Sequence, residues 1–465
     1  MVLNKLSIIF SVFLLIFLSL NIRAKNKTDK PNFIIILADD LGYGDVGFTG
    51  STQIRTPNID ALANAGVTFT QGYVSAPVCG PSRAGLMTGR NQVNFGFDNN
   101  PIVDLPQFDE NFVGLPVDET TIADRLAELG YVNGLIGKWH LGEAEHFHPL
   151  KRGFHEFWGY LGGGHNYVPV NPKGKPYPYK ILCNYKEPQP ITYITDDKGD
   201  ECVDFIRRHK DEPFFLYASF NAPHAPMQAT EDDLKLYAHV KDEKRRTYCA
   251  MVHRLDVNVG RIVEELKKQK LYDNSVIVFF SDNGGPCHHN ASLNMPLRGA
   301  KGTLLEGGIR VPFTMTWPKH LKAGTEFDHP ISSLDLTPTF VALAGGSIDA
   351  KAKLDGVNIF PYVNGEEAGR PHDEMLWRFT ISASIREGNW KLVRLPDRLP
   401  MLYDLSKDIA EQNNVADENR ELVELMLKKL GDWDITRPQV LYQEGNKWRR
   451  EQVDLYDRKY QLVQP

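Results

Sequence analysis

The run Phe33-Ile34-Ile35-Ile36-Leu37-Ala38-Asp39-Asp40 is six apolar residues closed by two carboxylates. An unbroken apolar run of this length suits a central parallel strand, both of whose faces are buried. The aspartates cannot join that core, so they mark where the strand leaves it. Val276-Ile277-Val278-Phe279-Phe280 repeats the pattern and stops at Ser281-Asp282-Asn283-Gly284-Gly285. Here a carboxylate and an amide precede glycines that permit a tight turn. The two runs are expected to be partner strands that deliver oxygen atoms at their ends.

Two further runs end the same way. Leu135-Ile136 leads into Lys138, Trp139 and His140, and Phe214-Phe215-Leu216-Tyr217-Ala218 leads through Asn221 to His224. Helical patterns over 121–129 and 257–268 fall between the strands. Alternating strand and helix predicts an α/β fold with a mostly parallel central sheet flanked by helices. Ligands of such sheets bind beyond the carboxyl ends of the strands, so four separated segments should border one cleft. Beyond Gly346 the pattern changes to short runs near 375–378, 381–386, 390–395 and 401–405, then a helical stretch over 419–430. That predicts a smaller antiparallel sheet with one helix. At 465 residues and 42% hydrophobic, the chain exceeds the usual size for one core. We expect a catalytic α/β domain over 25–346 and a smaller C-terminal α+β domain over 347–465.

Residues 1–24 are expected to be an export signal: Lys5 precedes an apolar run over 6–20, and Asn21-Ile22-Arg23-Ala24 offers a small residue for cleavage. The run is shorter than the ~20 residues of a spanning helix. No stable membrane anchor is expected, and the mature chain should be periplasmic or secreted. A formal charge of -6 gives no basic surface for nucleic acid, so an anion site must be built locally. There are five cysteines. Apart from Cys79, the remaining Cys183, Cys202, Cys249 and Cys287 admit any of three pairings or none.

Residues 79–90 read C-G-P-S-R-A-G-L-M-T-G-R, placing a thiol, two guanidinium groups and a proline-fixed turn in one stretch. Arg83 shares a face with Cys79 if a helix begins there, where it can hold a charged nucleophile. Asp39, Asp40, Asp282 and Asn283 are hard oxygen donors with no zinc-type cysteine or histidine pair, which suits calcium or magnesium.

The stretch from Cys79 to Arg90 resembles the formylglycine motif of the type I sulfatases, in particular exported bacterial polysaccharide sulfatases. Gly137-Lys138-Trp139-His140-Leu141-Gly142 is similar to a second motif of that family, and Ala222-Pro223-His224 to a third. Arg298-Gly299-Ala300-Lys301-Gly302-Thr303, with Glu306-Gly307-Gly308 following, is similar to a fourth. Leu402-Tyr403-Asp404-Leu405, with Glu411 and Asn414, resembles the family's closing domain. The resemblance implies an alkaline-phosphatase-like fold and hydrolysis of sulfuric esters. It implies one Ca2+ held by Asp39, Asp40, Asp282 and Asn283 together with Cys79, itself converted to 3-oxoalanine (formylglycine) by a separate maturing enzyme. The hydrated aldehyde would take the sulfate on one hydroxyl and expel it with the other. Lys138 and Lys301 would hold sulfate oxygens, and Arg83 would steady the nucleophile. His224 would serve the leaving oxygen, and His140 would take the proton that releases sulfate.

Substrate contacts are less specified. His165, Asn166 and Tyr167 suit either the mouth of the cleft or a packed loop, and Trp377 and Arg378 are similar candidates from the smaller domain. Export and a bacterial-looking usage of lysine, asparagine and isoleucine favour a sulfated algal oligosaccharide or polysaccharide, ulvan or carrageenan, ahead of glycosaminoglycans. A phosphonate or phosphodiester hydrolase of the same superfold would share the strand-end metal site. A non-catalytic glycan-binding protein would need no such set as Cys79, Lys138, His140 and Lys301.

Overall fold

Strand β1 (Asn32–Ala38) runs through the middle of a nine-stranded sheet and is buried along its whole length. Strand periodicity sends alternate side chains to opposite faces. Phe33, Ile35 and Leu37 accordingly join one apolar core, and Ile34, Ile36 and Ala38 join another. The computed structural model describes residues 30–101, 110–169, 180–186, 190–441 and 446–458, so the expected export signal lies outside the described residues.

The strands that follow are β2 (Val67–Phe69), β3 (Gly72–Tyr73), β4 (Val132–Lys138), β5 (Glu156–Tyr160), β6 (Leu182–Cys183), β7 (Phe214–Ser219), β8 (Ser275–Ser281), β9 (Phe313–Thr316), β10 (Thr325–Phe327) and β11 (Ile331–Ser332). The large sheet has the order β10-β2-β9-β8-β1-β7-β4-β5-β6, and β3 pairs separately with β11. β1 is parallel to both β7 and β8, and β4 is parallel to β7 and β5. β9 and β6 run antiparallel to their neighbours, so the sheet is mixed at its margins. Helices Cys79–Thr88, Ile122–Glu128 and Leu336–Leu343 cover one face. Pro57–Ala65, Ile194–Arg208 and Glu243–Lys268 cover the other. The last of these begins fourteen residues before the expected 257, at an Asp242 cap whose carboxylate accepts from Arg245 N.

Strands β12 (Glu374–Phe379), β13 (Ser382–Glu387), β14 (Trp390–Arg394) and β15 (Met401–Asp404) form a second, antiparallel sheet in chain order. Helix Arg420–Asp434 packs Met426 and Leu430 on its Ala383, Ile385, Leu392 and Leu402. Trp377 and Phe379 point the other way, into the core beneath the large sheet. The five cysteines are all free thiols, which settles the open pairing as none; Cys202 and Cys249 are packed in apolar core. Among the described residues, no helix is long and apolar enough to cross a membrane.

Candidate active site

Register decides where the site forms. Ala38 lies opposite Ser281, and Leu37 and Gly137 both lie opposite Ser219, so the adjacent strands β8, β1, β7 and β4 end at nearly the same level. The residues after them therefore converge: Asp282 and Asn283, Asp39 and Asp40, Asn221 and His224, Lys138 and His140. Asp40 and His140 take left-handed backbone conformations (φ 65° and 60°), which are costly for residues carrying a side chain. Cys79 is the first residue of its helix, preceded by extended Val78, and its side chain is buried at that helix start.

Three cations interleave with three carboxylates. Arg83 donates Nε–H to Asp282 Oδ2 at 2.9 Å, and its Nη2 stands 2.7 Å from the same oxygen and 3.7 Å from Asp39 Oδ2. Its Nη1 donates to Ser219 Oγ at 2.6 Å. Lys138 Nζ donates to Asp39 Oδ2 at 2.7 Å. Lys301 Nζ donates to Asp40 Oδ1 at 2.7 Å and lies 3.6 Å from Cys79 Sγ. His224 Nε2 is 3.6 Å from Asp40 Oδ2, while its Nδ1 meets Ala225 O at 2.6 Å.

Burial and this charge pattern set the protonation tendencies. Burial alone would raise Asp39, but Lys138, His224, Arg83 and Lys301 outweigh it and hold the carboxyl well below its usual range. Burial and the Asp39 charge push Asp282 up, against Arg83. Burial also raises the Cys79 thiol, partly opposed by Lys138 and Lys301. Burial, Lys138 and Arg83 hold His140 well below an ordinary histidine. Lys301 is raised: burial disfavours its charge, but Asp40 and the neighbouring anionic groups prevail.

The donor set fits a hard divalent cation. Asp39, Cys79 and Asp282 present ligand atoms within 4.8 Å of one another, and so do Asp39, Asp40 and His224. Asp39 Oδ1 and Asn283 Oδ1 are buried without a hydrogen-bond donor among the described residues. Buried oxygens of this kind are costly unless something positive meets them. Oxygen ligands in this number suit calcium or magnesium.

Of the two readings open for His165, Asn166 and Tyr167, their burial matches the packed loop. Tyr167 is fully buried, and its hydroxyl donates to the carbonyls of Asn221 and His224 at 2.7 and 2.8 Å. It props the His224 loop from beneath. Asn166 and His165 are buried beside it, with His165 Nδ1 against Asn166 O. Trp377 is buried in core and donates Nε1–H to Val74 O, so it is a packing residue and not a cleft wall. Arg378 faces a separate cavity between the small sheet and the segment after its helix, where Asp98 and Asp434 neutralise it.

Sequence reading missed other groups. Lys198 is buried and donates to Asn221 Oδ1 at 2.6 Å. Asn100 Oδ1 accepts from Gly80 N at 2.8 Å at the start of the Cys79 helix. His288 and His289 join Asp40, His224 and Lys301 around a 290 Å³ cleft. Lys198 alone had a legible signal: it falls at helical spacing between the apolar Ile194 and Cys202, on the buried face of its helix.

The family model described as Sulfatase matches residues 31–347, and one described as N-sulphoglucosamine sulphohydrolase, C-terminal, matches residues 300–434. Human N-acetylgalactosamine-6-sulfatase is 34% identical over 367 residues, spanning 75% of this chain and 69% of the human protein. The uncharacterized sulfatase YdeN of Escherichia coli (strain K12) is 32% identical over 414 residues, spanning 77% of this chain and 70% of YdeN. The crystal structure of Ps i-CgsB in complex with k-i-k-neocarrahexaose superposes with a TM-score of 0.83 at 39% identity, covering 93% of this chain and 98% of that one.

Proposed function

Since this chain belongs to the sulfatase family, we propose that it is an exported enzyme that removes sulfate ester groups from a carrageenan- or ulvan-type oligosaccharide, using an oxidised Cys79 and one calcium ion. The observation that carries this reading is the meeting of Cys79 with Asp39, Asp282 and the Lys301 ammonium at the shared end of four strands. The apolar run after Lys5 supports export.

Hydrated 3-oxoalanine at position 79 would supply a hydroxyl nucleophile, and calcium held by Asp39, Asp40, Asp282 and Asn283 would supply positive charge beside the sulfate oxygens. The chain's own groups do the rest. Lys138 and Lys301, each fixed by one aspartate, hold sulfate oxygens with charge already oriented. Arg83 clamps Asp282 and keeps the helix that carries Cys79 against the strand ends. His224 Nδ1 donates to Ala225 O, so Nε2 places a proton on the leaving oxygen only from the imidazolium, a form that burial opposes and Asp39 and Asp40 favour. His140, held neutral by burial and by Lys138 and Arg83, is suited to accept one.

Carrageenan stands first because Ps i-CgsB, solved with neocarrahexaose, is 39% identical to this chain. Glycosaminoglycan esters are the second reading, favoured by the similarity to N-acetylgalactosamine-6-sulfatase. The test is sulfate released from a panel of carrageenan, ulvan and glycosaminoglycan oligosaccharides by protein coexpressed with a formylglycine-generating enzyme, with Cys79→Ala as control. Release from algal oligosaccharides that is lost in Cys79→Ala and in a calcium chelator is the expected result. Release from glycosaminoglycans alone would select the second reading. Undiminished release by Cys79→Ala would refute the nucleophile, and undiminished release in chelator would refute the metal. Faster turnover of phosphonate monoesters than of any sulfate would refute the reaction.

A further inference from the structure

We infer that the turn Cys287–Asn290 is a saccharide subsite, in which His288 and His289 hold the sugar that carries the scissile sulfate. The inference rests on the sulfatase reading above and names where its substrate lies. The 290 Å³ cleft has Asp40, His224 and Lys301 on its reacting side, and Pro286, His288, His289 and Asn290 line it as well. A sulfate held by Lys301 in this cleft has the turn as the facing part of the lining, whereas Tyr167, Asn166 and His165 are buried.

The turn is built to hold its position. Asn290 is buried and donates Nδ2–H to Asp40 O at 3.2 Å and to Pro223 O at 3.5 Å, tying the turn to the backbone of two site segments. Its Oδ1 accepts from Ser292 N at 3.0 Å. Asn294 accepts from Gly285 N at 2.9 Å and donates to the carbonyls of Gly285 and Gly299 at 2.9 and 3.0 Å. Arg245 donates to Ala291 O at 2.9 Å and pairs with buried Asp45 at 2.7 Å, and Asp45 in turn accepts from Leu293 N. Two buried asparagines and a buried ion pair thus fix four residues whose outward cargo is two imidazoles. A wall braced this way loses little side-chain and loop freedom when it binds, which is what preorganised recognition requires.

The chemistry of the wall matches a charged sugar. The two rings lie 4.0 Å apart between centroids, His289 being the exposed one. An imidazole offers an apolar face for the C–H side of a pyranose, and ring nitrogens that donate to or accept from hydroxyls. Burial, then Lys301, Lys244 and Arg458, disfavour a further positive charge on His289, with Asp40 opposing, so the imidazole is kept neutral inside a cationic rim. Such a rim favours an oligosaccharide with a second anionic group close to the scissile one.

The experiment compares His288→Ala, His289→Ala and His289→Gln with the parent on a sulfated carrageenan oligosaccharide and on 4-nitrocatechol sulfate, which has no sugar. For His288→Ala and His289→Ala, kcat/KM on the oligosaccharide should fall about tenfold, chiefly through KM, and by several times more than on the aryl sulfate. His289→Gln, which keeps a donor and an acceptor, should recover part of the loss. Equal losses on both substrates, or parent-like values on the oligosaccharide, would overturn the subsite while leaving the sulfatase reading standing. A parent enzyme that turns over the aryl sulfate but releases sulfate from no oligosaccharide would overturn the saccharide reading, and the subsite with it.

Discussion

Lys198 is the residue whose position asks most for a reason. It is buried, no carboxylate pairs with it among the described residues, and burial drives its pKa well below that of an ordinary lysine, with Asp39 opposing and Arg83 and Lys138 adding to the fall. Its Nζ lies 5.0 Å from the Tyr160 ring centroid and donates to Asn221 Oδ1. The Asn221 carbonyl in turn accepts from Tyr167 Oη and from His224 N, each at 2.7 Å. Lys198 is therefore a positioning residue for His224. Lys198→Met should lower kcat about tenfold, near the 1.4 kcal/mol expected of one lost hydrogen bond, with KM little changed. Its melting temperature should not fall in proportion, because methionine removes the cost of burying an ammonium. A parent-like kcat would show that Asn221 holds the loop unaided. His224 is tested by leaving group: His224→Ala should slow glycan sulfates about a hundredfold or more and activated aryl sulfates much less, since only the former need a strong proton donor. Equal losses would move that role to another group.

Helix Ile122–Glu128 shows how an element can be written locally. Thr121 Oγ1 accepts from Asp124 N at 3.0 Å, and Asp124 Oδ2 accepts from Thr121 N at 2.9 Å, a reciprocal cap. Thr121 Oγ1 also donates to Arg152 O at 3.0 Å. Thr121→Ala should cost about 1–2 kcal/mol in urea unfolding, with unchanged activity per folded molecule. A midpoint equal to the parent's would show that tertiary packing alone holds the helix. Elements with such signals were legible: unbroken apolar runs marked β1, β7 and β8, and the polar residues behind them marked Asp39, Asp40, Asp282, Asn283 and His224. Strand β4, interrupted by Asn133 and Gly134, showed only Leu135-Ile136, and Cys79, Arg83 and Lys301 were found by motif. Legibility failed where period carries no information. The first half of helix Glu243–Lys268 places charged residues ahead of its apolar stripe, so its start is fixed by the Asp242 cap. The turn Cys287–Asn290 is too short for any period and is set by Asn290 and Asn294, whose partners lie in other segments. Trp377 looked like a ligand contact because an exposed and a buried tryptophan read alike until its neighbours are known.

At the scale of the molecule, the small antiparallel sheet meets the helix Glu306–Ile309 and strand β3 through a buried cluster. Lys391 on β14 lies 2.8 Å from Glu306 Oε1 and 2.9 Å from Glu411 Oε1, all three fully buried. Glu411 Oε2 also accepts from Glu306 N, and Glu306 Oε2 accepts from Tyr73 Oη at 2.6 Å. Two carboxylates thus share one ammonium. Burial opposes both charges, but Lys391, Arg310 and Arg386 together hold Glu306 below its usual range. Glu411, raised by burial and by Glu306 against Lys391, lies above it. The consequences for stability have opposite signs. Glu306, depressed in the folded state, contributes stability above the ordinary glutamate pKa of about 4.3, and that contribution is lost as pH falls below it. Glu411, elevated in the folded state, contributes stability that is whole below about 4.3 and is lost as pH rises through its raised value. Between pH 5 and 8 the second effect governs, so the junction should loosen as it becomes more alkaline. Glu411→Gln cannot ionise. Its unfolding free energy should therefore gain on the parent's across that interval by about 1–3 kcal/mol, one to two pK units of linkage. Thermal or urea unfolding of both proteins at pH 5, 6, 7 and 8 measures this directly. Parallel curves would mean that Glu411 is already ionised at pH 5, with Lys391 compensating both carboxylates and the junction indifferent to pH.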